Sequence, residues 1–194
     1  TFMNAFTSSD WTAYPFATQN DKDFNNLLSV YLDSSFFPNL DKLDFLQEGH
    51  RLEFSDDKNL DSNLEIKGVV YNEMKGAMSS ISSQLWHGLS KHLYSSSTYK
   101  HNSGGNPEDI IDLTHEYLVN FHKKHYHPSN ATFFTFGDVN PEKIQDYISE
   151  NVLNNFEPSD EIINVKNEKR IESPITVSEP YNPMPNDEKN NLSL

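Results

Sequence analysis

The chain of 194 residues carries 29 acidic against 15 basic side chains, a formal net charge of −14, and no cysteine. Without thiols these residues can form no disulfide, cysteine nucleophile or Cys-ligated zinc site, while a zinc site of the His/His/Glu kind stays possible. The acidic balance argues against a nucleic-acid or anionic-membrane partner, since both want a basic face, and no apolar run approaches the roughly 20 residues of a membrane span.

Thr1 to Thr18 reads as two strands around a Ser8-Ser9-Asp10 turn: Phe2, Asn4 and Phe6 alternate with Met3 and Ala5, then Thr12, Tyr14 and Phe16 with Trp11, Ala13 and Ala17. Pro15 cannot donate to a ladder, so the second strand belongs at an edge or bulges there. Asn20 to Phe37 has the periodicity of a helix, with Asn20 as N-cap, Pro38 as stop and an inward stripe of Phe24, Leu27, Leu28, Tyr31 and Leu32. A second helix is expected from about Asp41 to Phe54, followed by a polar loop over Ser55 to Asn63.

Gly68-Val69-Val70-Tyr71-Asn72-Glu73-Met74-Lys75-Gly76-Ala77 places a single carboxylate in an apolar helical run. On a helix Val69, Val70, Glu73, Gly76 and Ala77 share one stripe, which predicts an inward-facing Glu73 among small neighbours. An inward carboxylate needs a cation, and periodicity alone leaves open whether that is a Lys, an Arg or a metal. A further amphipathic stretch through Leu85, Trp86, Leu89 and Leu93 reads as a helix that packs on another.

The paired glycines of Asn102-Ser103-Gly104-Gly105-Asn106-Pro107 allow close backbone approach, and the loop is expected to lean on the preceding helices. It lacks the Gly-Lys-Ser/Thr ending of a phosphate loop. Thr114 to His125 is a capped helix with Leu118, Phe121 and His125 on one face. His122, His125 and His127 could meet at its end, but the favoured reading is a structural corner whose cationic end suits a helix C-terminus. Ala131 to Phe136 reads as a strand, Asn140 and Pro141 open a helix with Ile144, Tyr147, Ile148 and Val152 inward, and Ile171 to Val177 is a last candidate strand. Hairpin, helices, strand and helix in that order predict an α+β fold, with helices packed on a mostly antiparallel sheet.

Three of these stretches resemble the presequence proteases, mitochondrial members of the pitrilysin-type (inverzincin) metallopeptidases. The phrase Lys67-Gly-Val-Val-Tyr-Asn-Glu73-Met-Lys-Gly76 is similar to the segment that supplies the third zinc ligand, so the resemblance implies Glu73 as a Zn2+ ligand. Thr1-Phe-Met-Asn-Ala-Phe-Thr7 resembles the substrate-binding edge strand, which implies that Asn4, Ala5 and Phe6 pair with an extended peptide by β-augmentation. Tyr99 to Pro107 is very like the family's loop before its next helix. His50 departs from the pattern, because the family has a Trp after Gly49, and different local packing is expected there.

The family's other two ligands and its general base come from a His-x-x-Glu-His motif. Nothing of that form occurs here, so the resemblance implies a piece of a larger enzyme with the motif a short way before Thr1. It implies a zinc endopeptidase parent, mitochondrial in matrix or intermembrane space, that degrades basic presequences and other short unstructured peptides. The chain alone would be inactive. Residues 1–156 would be a partial N-terminal metallopeptidase domain and 157–194 a linker toward the next. The alternative is a relative that keeps the fold as a scaffold or peptide-binding subunit without a working zinc motif.

Overall fold

A computed structural model describes residues 1–161 and 163–180. In chain order they form β1 (Phe2–Met3), β2 (Phe6–Thr7), β3 (Thr12–Ala13), β4 (Phe16–Ala17), α1 (Asp21–Phe36), α2 (Lys42–Glu48), β5 (Arg51–Phe54) and β6 (Leu64–Lys67). Then follow α3 (Val69–Ala77), α4 (Ile81–Leu93), a 3-10 turn (Thr98–Lys100), α5 (Pro107–Ile110), α6 (His115–His125), α7 (Pro141–Asn151) and two further 3-10 turns. Seven helices with small antiparallel ladders make the described residues α+β. It divides into two compact units.

The first unit comprises residues 1–6, 12–41 and 114–164. Phe2 lies opposite Ala17 and Met3 opposite Phe16. Beyond that pair the Asn4 N–H donates to the Pro15 carbonyl at 3.1 Å. Pro15 has no N–H to return, so the hairpin breaks into two-residue strands. Asn20 caps α1 by accepting the Asp23 N–H, and Asn140 caps α7 by accepting that of Lys143. The core is where these two helices put their apolar faces: Leu32, Ile144, Ile148 and Val152, with Val152 wholly buried, ringed by Phe24, Phe36, Tyr147 and Phe156.

The second unit comprises residues 7–11, 42–113 and the described residues from Val165. Here the expected long second helix is corrected. Only Lys42–Glu48 is helical; Gly49 ends it, and Arg51–Phe54 is a strand paired antiparallel with Leu64–Lys67. Alternating Arg51, Leu52, Glu53 and Phe54 fit a strand's period of two as well as a helix's stripe, and the polar loop supplies the turn that settles it. Glu53 then draws Arg51 at 2.6 Å and Lys67 at 3.5 Å from both strands.

Two other expected strands are absent. Ala131–Phe136 has no regular secondary structure and is unpaired, with Phe134 86% and Phe136 89% exposed, and Ile171–Val177 forms no ladder. An alternating run becomes a strand only when another strand takes its N–H and C=O groups, and no described segment does. The α4 stripe is likewise outward: Trp86 is exposed and Leu89 and Leu93 are partly so.

Candidate functional site

Glu73 is placed by two close backbone approaches. Gly68, buried just before α3, lies so near Gly49 that a Cβ on it would come within 2.0 Å of the Gly49 carbonyl oxygen. Only glycine lets these two segments touch, and the contact fixes where α3 starts. Beside it the His50 ring packs edge-on against Phe45 and its Nε2 bonds the Leu113 carbonyl at 2.8 Å, so His50 is a packing residue.

On the other side, Met74 is buried and the Gly104 backbone leans on it, leaving a Cβ at position 104 only 2.4 Å from the Met74 sulfur. The loop holds its shape through the Asn102 side chain, which accepts the Gly104 N–H, and through Gly105 at φ +92°, a left-handed conformation suited to glycine. The loop does lean on the Glu73 helix, as its sequence suggests.

These contacts also correct the expected direction of Glu73. Val69, Val70, Glu73, Gly76 and Ala77 share one face of α3, but that face is exposed, with open space beyond Gly76. Met74, one turn on from Val70, lies at the edge of that stripe, and it is there that the helix has its neighbours. The Glu73 carboxylate is therefore solvated, and among the described residues no side chain or backbone group bonds it. A carboxylate with free lone pairs is an ordinary zinc donor. Among the described residues no group of three His, Cys, Asp or Glu could hold an ion. Glu73 thus fits as one donor of a set, not as a centre by itself.

Asn4, Ala5 and Phe6 are all exposed, and they fall outside the unit that contains Glu73. Asn4 spends its N–H on Pro15, and its carbonyl accepts the Tyr31 hydroxyl at 3.4 Å. Ala5 lies between β1 and β2 and belongs to neither ladder. Its N–H is met by the Asn4 side-chain oxygen at 2.8 Å.

The three histidines do not converge. His122 bonds the Ser35 carbonyl and stacks on Tyr126, His125 lies against Phe121 with burial pushing its pKa down, and His127 bonds Ser129 and the Glu157 carbonyl. Sequence reading missed two other polar features. The Tyr14 and Tyr126 hydroxyls meet at 2.5 Å, and Tyr14 is pushed well above the usual phenol range by burial and then by that bond. Glu168 and Glu179 bond groups at the end of α4. No local pattern signals contacts between residues 70 or more positions apart.

A sequence profile described as the Peptidase M16 inactive domain matches residues 112–194. Over 174 residues, 90% of the chain, it is 51% identical to the mitochondrial presequence protease of Xenopus tropicalis, of which it covers 17%. The corresponding protein of Danio rerio is 54% identical over 157 residues, 81% of the chain and 15% of the relative. The resemblance to presequence proteases is borne out. It extends to bacteria, where Protein HypA of Clostridium perfringens is 44% identical over 89% of the chain and 18% of its own length. The chain spans less than a fifth of each of these relatives.

Proposed function

We propose that this chain is part of a zinc metalloendopeptidase that degrades mitochondrial targeting presequences and other short unstructured peptides. The observation that carries the reading is the 51% identity, across nine tenths of the chain, with a protein named mitochondrial presequence protease. The parent works in mitochondria, as those relatives' names suggest, and residues 1–156 and 157–194 serve as partial peptidase domain and linker.

Glu73 is the third metal ligand, offered from an exposed face of α3 whose start is fixed by the Gly49–Gly68 contact. Glu73 would hold the zinc ion with two further ligands, and the ion, when bound, would supply Lewis-acid activation of water and of the scissile carbonyl. The two His ligands and the general base come from the rest of the parent, so the 194-residue chain alone is hydrolytically silent. Asn4, Ala5 and Phe6 take an extended peptide as an added strand, and a peptide carbonyl takes over the Ala5 N–H from the Asn4 side-chain oxygen that meets it at 2.8 Å. Main-chain pairing of this kind selects for lack of structure more than for side chains. The net charge of −14 favours basic peptides over acidic ones.

The test is hydrolysis by the full-length parent. It is expected to cut an Arg-rich unstructured peptide, lose that activity to a chelator, regain it with added zinc, and spare a folded protein. Unchanged hydrolysis after zinc is stripped, or efficient cutting of folded proteins, contradicts the proposal.

A further inference from the structure

We infer that Glu168 and Ser96 are positioning residues for the peptide-binding edge, acting through the turn of the hairpin that carries it. The inference rests on the assignment of Asn4 to Phe6 as that edge. Its evidence lies in a run of short hydrogen bonds inside the second unit.

Glu168 reaches back to the segment after α4. Its carboxylate accepts the Ser96 N–H at 3.0 Å and the Ser96 hydroxyl at 2.6 Å. Ser97 is buried, so the segment has its inner side packed as well as its outer side tied. One residue on, the Thr98 hydroxyl donates to the Ser9 carbonyl at 2.6 Å, and the Tyr99 hydroxyl donates to the Asp10 carboxylate at 2.6 Å. Ser9 and Asp10 are the tip of the turn closed by the Ser8 N–H on the Trp11 carbonyl. That tip is three residues along the chain from Phe6.

A hairpin's register and fraying are governed by its turn, and this hairpin is short of ladder bonds because of Pro15. Holding the tip from outside therefore keeps the first strand extended before a peptide arrives. Pre-ordering lowers the entropic cost of adding a strand. The effect belongs in peptide affinity and not in the chemical step.

A second carboxylate tie, made to α4 itself, provides a control. Glu179 bonds His92 at 2.9 Å and lies 3.7 Å from Lys91, within α4 and away from Ser96 to Tyr99.

The experiment compares Glu168→Ala, Ser96→Ala, the Thr98→Val/Tyr99→Phe pair and Glu179→Gln in the full-length parent. Hydrogen exchange is read at the 8–11 turn, and KM and kcat on an unstructured basic peptide. The first three are expected to raise exchange at the turn by about three- to tenfold, the scale of one or two lost hydrogen bonds. KM should rise by a similar factor with kcat unchanged, and Glu179→Gln should move neither. If Glu168→Ala leaves turn exchange unchanged, or speeds it while KM stays fixed, the inference is overturned. The exchange reading needs no turnover, so a wild-type parent that cuts no peptide would sink the proposed function and leave the Glu168-to-turn coupling measurable.

Discussion

Helices α7 and α3 carry equally legible apolar stripes and meet opposite fates. On α7 the stripe of Ile144, Ile148 and Val152 is the core of the first unit, buried against Leu32 of α1. On α3 the stripe of Val69, Val70, Glu73, Gly76 and Ala77 is left open, while Met74 at its edge is buried. A 3.6-residue period defines a face; only a neighbouring element makes it interior. Where a stripe includes a carboxylate, being uncovered leaves that carboxylate free to act as a ligand.

Three substitutions sharpen the contrast. Ile148→Ala should cost about 2–4 kcal/mol of unfolding free energy, read from denaturant melts, because it opens a cavity in a packed core. Gly68→Ala should cost about 2–3 kcal/mol, since a Cβ meets the Gly49 backbone and not a movable side chain. Val70→Ser, on the open face of α3, should change stability by no more than about 0.5 kcal/mol in this chain. A large loss at Val70 would mean that the face is covered after all.

The smallest effect is set by pH. Glu168 is held below its ordinary value of 4.5, chiefly by the Ser96 hydroxyl, and Glu179 chiefly by His92. A depressed folded pKa means that each tie contributes fully above the ordinary glutamate value and is lost as pH falls through the folded one. The NMR signal of the Ser96 amide should therefore hold steady at neutral pH and move only below about pH 4.5. Movement near pH 6 to 7 would contradict the assignment of Glu168 as its partner.

Much of this was legible in sequence because the signals were local. Asn20, Thr114 and Asn140 cap the helices they precede, and Phe24, Leu27 and Leu32 turn inward as spaced. The misreadings share a non-local cause. Arg51 to Phe54 became a strand because Leu64 to Lys67 paired with it, and Ala131 to Phe136 stayed unpaired because nothing described did so. The Glu73 position was visible as a motif. Its outward direction was not, because Gly49 and Gly104 decide it from 24 and 31 residues away.

The most direct test of the account is the metal content of the full-length parent with Glu73→Gln. Loss of bound zinc together with turnover, in a protein that melts like the wild type, is the predicted result, since the exposed side chain has no packing role. Stoichiometric zinc with normal peptide hydrolysis would show that Glu73 is not a ligand.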